Sequence, residues 1–150
     1  MVSFYAGLKA KEIAALELGD VFDEVGAVRE QFIIGVDQGK GGQRRTVDLN
    51  QRLRKSLAKY SKSKYLIDLN CPLFESQKDG HFLANTMCQL FLDIYKAMEL
   101  KDASSHSERR TYIKRLANKG FGVRLLAKLA GHSHISNAQR CIDVNSDQLT

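Results

Sequence analysis

The sequence predicts an α+β chain, mostly helical, with one small antiparallel sheet. Three observations carry this. Met87, Leu90, Phe91, Ile94, Tyr95 and Met98 fall at i, i+3, i+4, i+7, i+8 and i+11, the period of an amphipathic helix. Two short runs, 29–36 and 45–49, flank the glycine-rich link Gln38-Gly-Lys-Gly-Gly-Gln43, as a flexible hairpin tip requires. Gly120 and Gly131 stand just past two further helix-patterned stretches, where helices end.

Taken in order, residues 8–18 predict a first helix, since Leu8, Ile13, Ala14, Leu16 and Leu18 form a partial apolar stripe ended by Gly19-Asp20. The strands at 29–36 and 45–49 follow. Asn50 is a candidate N-cap for a helix to Tyr60, with Leu49, Leu53 and Leu57 at spacing four. Residues 61–80 read as irregular; they hold the only proline, Pro72, and a turn at Lys78-Asp-Gly80. The helix through 87–98 is expected to lie in the core. Further helices are expected at 108–118, at 123–130 and, briefly, at 138–142. No internal repeat or low-complexity segment interrupts the pattern.

A chain of 150 residues is enough for one domain with one core, so 1–150 is expected to be a single unit. No apolar run approaches the ~20 residues of a membrane span, and the N-terminus lacks the pattern of a signal peptide. Cys71, Cys88 and Cys141 are odd in number and form no CxxC pair, which predicts reduced thiols, no structural zinc and a cytoplasmic location. The net charge is +6, unevenly spread. Residues 40–64 carry nine Lys/Arg against Asp48 alone, and 106–128 carry seven against Glu108. Residues 12–30 hold six acids against Arg29. Such segregation fits either a polyanion-binding face or a set of solvated helix faces.

The chemistry-bearing residues are likewise cationic. His106-Ser-Glu-Arg109 places an imidazole and a guanidinium at i and i+3, on one face of a helix start. Gly131-His132 lies nine positions before Cys141, within Leu129-Ala-Gly-His-Ser-His-Ile-Ser-Asn-Ala-Gln-Arg-Cys-Ile-Asp-Val144. Lys40 stands in the glycine-rich link. Alone, His-x-x-Arg is common by chance; in this order and spacing the set is specific. From Tyr5 to Leu149 the chain resembles the catalytic domain of the tyrosine recombinase (phage integrase) family.

That resemblance implies DNA strand breakage and rejoining through a covalent phosphotyrosine, on double-stranded DNA and with possible homo-oligomers. It calls for no metal ion and no small-molecule cofactor. A phosphate under attack becomes a crowded, highly charged species, and fixed guanidinium and imidazole donors must stabilise it. By the resemblance, Arg109 binds a non-bridging oxygen and His106 helps manage the nucleophile's proton. His132 is the second histidine, and Lys40 protonates the leaving 5′ oxygen.

The chain departs from the family pattern at several positions. Cys141 occupies the place of the nucleophilic tyrosine. Lys9, in Gly7-Leu-Lys-Ala-Lys-Glu12, occupies the place of the first catalytic arginine and lacks the planar two-pronged donor. Glu108 stands where a small residue is usual, and its carboxylate is expected to repel substrate. Tyr112 is the nearest other phenol, with packing its expected role. The chain is expected to lack the separate core-binding domain of the family. Strand cleavage is therefore expected to be impaired, and a non-catalytic DNA-binding remnant is the competing reading. A cysteine-dependent phosphatase or nuclease is disfavoured, because no glycines surround Cys141 to open backbone N–H groups to a phosphate.

Overall fold

A computed structural model describes residues 2–35, 44–62, 68–78, 80–99, 104, 106–132 and 134–143. Its elements run α1 (Val2–Ala6), α2 (Ala10–Ala14), α3 (Leu18–Val21), β1 (Gln31–Ile34), β2 (Arg45–Asp48), α4 (Gln51–Lys62), α5 (Ala84–Ala97), α6 (Ser107–Asn118), α7 (Val123–Ala130) and α8 (Ile135–Asp143). The expected α+β class, mostly helical with a small antiparallel sheet, is what the chain adopts.

The first predicted helix, 8–18, is divided in two. Glu12 in the first turn of α2 accepts the backbone N–H of Lys9 at 2.7 Å, which starts that helix at Ala10 and not at Leu8. Asp20 does the same for Glu17 at 2.9 Å, starting a second short helix where the glycine was expected to end one. The segment between them is held by Leu73, whose N–H donates to Leu16 O at 2.8 Å. The helix α1 has no counterpart in the sequence pattern; it packs on α6, with the Arg115 guanidinium 5.5 Å from the Tyr5 ring centre.

The two strands pair antiparallel, with Phe32 opposite Val47 and Ile34 opposite Arg45. Period-two alternation sends Phe32, Ile34, Arg45 and Val47 inward and Gln31, Ile33, Thr46 and Asp48 outward. Asn50 caps α4 as expected, its Oδ1 accepting the Leu53 N–H at 2.9 Å. Leu53 and Leu57 then turn to the core, while Arg52, Lys55, Lys59 and Lys62 face outward.

Among the described residues, the buried apolar side chains form two clusters. The larger is built by α2, α3, both strands, α4 and Leu73, with Phe22, Leu8, Leu53 and Leu73 fully enclosed. The smaller gathers Ile113 of α6 and Leu126 and Ala130 of α7, with Tyr112, Leu116, Cys141 and Ile142 packed around them. The helix α5 departs from expectation. Met87 and Tyr95 are buried, but Leu90, Ile94 and Met98 are 40, 42 and 63% exposed. Its apolar stripe is wider than the surface of α2 that covers it.

Candidate phosphate-binding site

Among the described residues, the buried charged side chains are Glu12, Arg45 and Arg109, and they join the two clusters. A buried charge is tolerated only when paired. Glu12 Oε2 already accepts the Lys9 N–H, and it also accepts Arg45 Nη2 at 2.8 Å. Arg109 Nη1 lies 3.9 Å from the same oxygen. One carboxylate on α2 thus sits between a guanidinium from β2 and another from α6.

The end of α7 supplies the remaining partners. Gly131 closes the helix in the left-handed region at φ +61. Its N–H donates to Lys128 O at 3.0 Å, and that of His132 to Ala127 O at 2.8 Å. The carbonyls of Leu129 and Ala130 stay free of the helix ladder, at the negative end of its dipole. Arg45 Nη1 donates to Leu129 O and Arg109 Nη2 to Ala130 O. A Cβ on residue 131 would stand 2.8 Å from Arg45 Nε, so the turn before His132 needs glycine for both its backbone and its neighbour. Gly7 is constrained in the same way. Its carbonyl accepts Arg109 Nη1 at 3.0 Å, its φ is +67, and a Cβ there would meet the Tyr112 ring at 2.4 Å.

These contacts converge the sequence-predicted cations. Arg109 uses two of its five N–H groups on carbonyls and is buried; burial pushes it down to about 10, with Glu12 opposing, so it stays cationic at neutral pH. Lys9, half-buried at the start of α2, is lowered by burial and then by Arg109. His106, immediately before α6, is lowered by partial burial and by Arg109, Arg110 and Lys9. His132 is lowered furthest, to about 4, by burial and then by Arg109, Lys9 and Arg45. At neutral pH it is a neutral imidazole, and its Nδ1 is buried with no hydrogen-bond partner among the described residues.

Arg109 and Lys9 thus act on both His106 and His132, and Arg109 acts on Lys9. Cys141 lies on the inward side of α8, packed against the smaller cluster and close enough to Arg109 for its charge to act there. Lys40 lies outside the described residues. Tyr112 packs as expected, its ring against Gly7.

Glu108 stands in the first turn of α6. Its charge is felt by Tyr95 of α5, whose phenol is pushed up to about 12 by burial first and Glu108 second. It does not figure among the charges acting on Lys9, His106, Arg109 or His132. The carboxylate of Glu108 thus lies near the Tyr95 phenol of α5.

Sequence reasoning missed Glu12 and Arg45 as site residues, and Arg45 was counted with the basic face. The signal was present: Arg45, Val47 and Leu49 alternate inward, and an arginine in that register must be buried and paired. No group of three or more His, Cys, Asp or Glu side chains suited to a metal ion occurs among the described residues.

The Phage integrase family profile matches residues 1–148. A tyrosine recombinase of Thermosipho africanus is 29% identical over 139 residues, covering 89% of this chain and 44% of that protein. The XerA recombinase crystal structure superposes with a TM-score of 0.78 at 22% identity, covering 99% of this chain and 51% of that one. An arginine-to-lysine variant of the Tn1549 transposon integrase, in complex with a circular intermediate DNA, superposes with a TM-score of 0.71 at 21% identity, over 93% of this chain and 51% of that one. The chain thus spans about half the length of the relatives it matches. A profile match along nearly its whole length places this chain in the phage integrase (tyrosine recombinase) family.

Proposed function

We propose that this chain binds double-stranded DNA and holds one backbone phosphate in the pocket of Lys9, His106, Arg109 and His132. Lys40, which lies outside the described residues, is assigned to the same phosphate by the family resemblance alone. The observation that carries this is His132: a neutral imidazole with a buried, unpartnered Nδ1, set among three cations. Such a field repels a proton and attracts an anion. A phosphate there would accept N–H bonds from His132 and the remaining donors of Arg109, and would offset the mutual repulsion of the cations. The exposed cations of α4, with Arg110, Arg124 and Lys128, supply contacts to neighbouring phosphates. Supporting the reading, the Tn1549 integrase variant that shares this fold was solved on DNA. The protein acts on DNA in the cytoplasm, as copies assembled on a duplex.

Strand cleavage by this chain is impaired. A cysteine side chain ends several Å short of a tyrosine oxygen, judged from bond lengths, while near-attack geometry tolerates about 1 Å. Lys9 offers a point charge in place of a planar fork, a change worth roughly 3 kcal/mol, or ~10²–10³ in rate, if it equals loss of one oxyanion donor. One observation favours the non-catalytic reading over a slow enzyme: Cys141 packs with Ile142 against Ile113, Leu126 and Ala130, as a small apolar residue does.

The test is a nicked duplex that traps covalent protein–DNA adducts, offered to the native chain and to Cys141→Tyr with Lys9→Arg. No adduct with the first and an adduct with the second fits decay from a cleaving ancestor. A native-chain adduct lost on Cys141→Ala would show instead that the thiol still cleaves. No binding of duplex at low salt would remove the DNA reading altogether.

A further inference from the structure

The strongest feature left outside that account is Arg45. It is an arginine on the inward face of a strand, opposite Ile34 and in line with Val47. Its side chain is 4% exposed, so it takes no part in a solvated basic face. A valine or leucine would fill that register at lower cost, because desolvating an ion pair offsets most of its attraction. What the arginine does instead is reach three separate segments. Nη2 bonds Glu12, Nη1 bonds Leu129 O, and its Nε and Cδ occupy the space beside Gly131 that a Cβ would need.

Each of those contacts is one step from a residue of the pocket. Glu12 Oε2 also holds the backbone of Lys9 at 2.7 Å. Leu129 precedes Ala130, whose carbonyl orients Arg109. Gly131 precedes His132. Lys9, Arg109 and His132 come from three different elements, and none is hydrogen-bonded to another's side chain among the contacts described. Arg45 is the side chain whose contacts adjoin all three.

We infer that Arg45 is a positioning residue: its two-pronged guanidinium ties Glu12 to the end of α7 and so sets Lys9, Arg109 and His132 at the spacing of a single phosphate. The inference rests on reading the pocket as a phosphate site. Arg45 acts through Glu12 and Leu129, which take its two Nη groups. A lysine at 45 keeps the charge but can satisfy only one of the two partners at a time. The end of α7 and the start of α2 are then free to move apart while the fold persists.

The experiment uses Arg45→Lys, with inorganic phosphate and then a short DNA duplex as probes, followed at the His132 imidazole by NMR. Outer partners that orient metal ligands change affinity by about 10–100-fold, and the same order is expected where they orient phosphate donors. The expected result is a cooperatively folded Arg45→Lys protein whose phosphate affinity, read at His132, falls by at least about tenfold. A purely structural role predicts a lower Tm with affinity at His132 within about twofold of native, and that outcome overturns the inference. Should Arg45→Lys fail to fold, Glu12→Gln loosens the same link from its other end, and it must reproduce the affinity loss. If the native protein binds neither probe, the phosphate reading has failed and Arg45 positions nothing. That result is distinct from native binding that survives in both variants.

Discussion

Replacing Gly131 with alanine tests the site's architecture with an internal control. The helices α6 and α7 end in the same motif. Gly120 has φ +86, its N–H donates to Ala117 O at 2.8 Å, and that of Phe121 donates to Leu116 O at 3.3 Å. Gly131 repeats this at φ +61. In both places alanine must adopt a left-handed conformation, at roughly 1–2 kcal/mol. The two differ in what surrounds them. A Cβ on Gly120 meets nothing within 4 Å, whereas one on Gly131 stands 2.8 Å from Nε and 3.0 Å from Cδ of Arg45. Arg45 cannot yield without loosening its bonds to Glu12 and Leu129. Overpacking of this kind adds about 1–3 kcal/mol. Gly120→Ala should therefore cost roughly 1–2 kcal/mol and Gly131→Ala about 2–5 kcal/mol. Urea unfolding, compared at equal m-value, measures both. Costs equal within about 0.5 kcal/mol would refute the placement of Arg45 against the α7 turn.

Two further outcomes follow from the same structure. His132 titrates at about 4 in the folded protein against an ordinary 6.5, so the unfolded chain binds its proton first as pH falls. Its contribution to stability is complete above 6.5 and is lost as pH drops from 6.5 toward 4. Native and His132→Gln proteins unfolded in urea across this range should differ in slope, with the variant flatter. On α5, Met87→Ala should cost about 2–5 kcal/mol, while Met98→Ala, at a position 63% exposed, should stay within about 0.5 kcal/mol in thermal or urea unfolding.

Where the fold was legible, its determinants were local. Asn50 caps α4 through its own side chain, and Gly120 and Gly131 close α6 and α7 where their φ values require glycine. The strands were legible because alternation and a glycine-rich link lie within a few residues. The divided helix at 8–18 was not, since the apolar stripe runs on while Glu12 and Asp20 each cap a separate turn. For α5, periodicity identified an amphipathic helix but not how much of its stripe a neighbour covers. His106, Arg109 and His132 were singled out by order and spacing and Lys9 by its motif, and Lys9 and Arg109 act on both imidazoles. Glu12 and Arg45 escaped because charge counting treats every charge as solvated, whereas strand register places Arg45 inside.

The central claim is that this pocket receives a DNA phosphate, and the His132 imidazole reports on it directly. Its proton titration, followed by NMR with and without saturating duplex at low salt, should have a midpoint near 4 in the free protein. A phosphate beside the ring favours the charged imidazole, so the midpoint should rise on binding by about one unit or more, within the shift an adjacent opposite charge produces. Duplex that binds tightly yet leaves the His132 midpoint unchanged would contradict the account, because the DNA would then lie elsewhere on the basic surface.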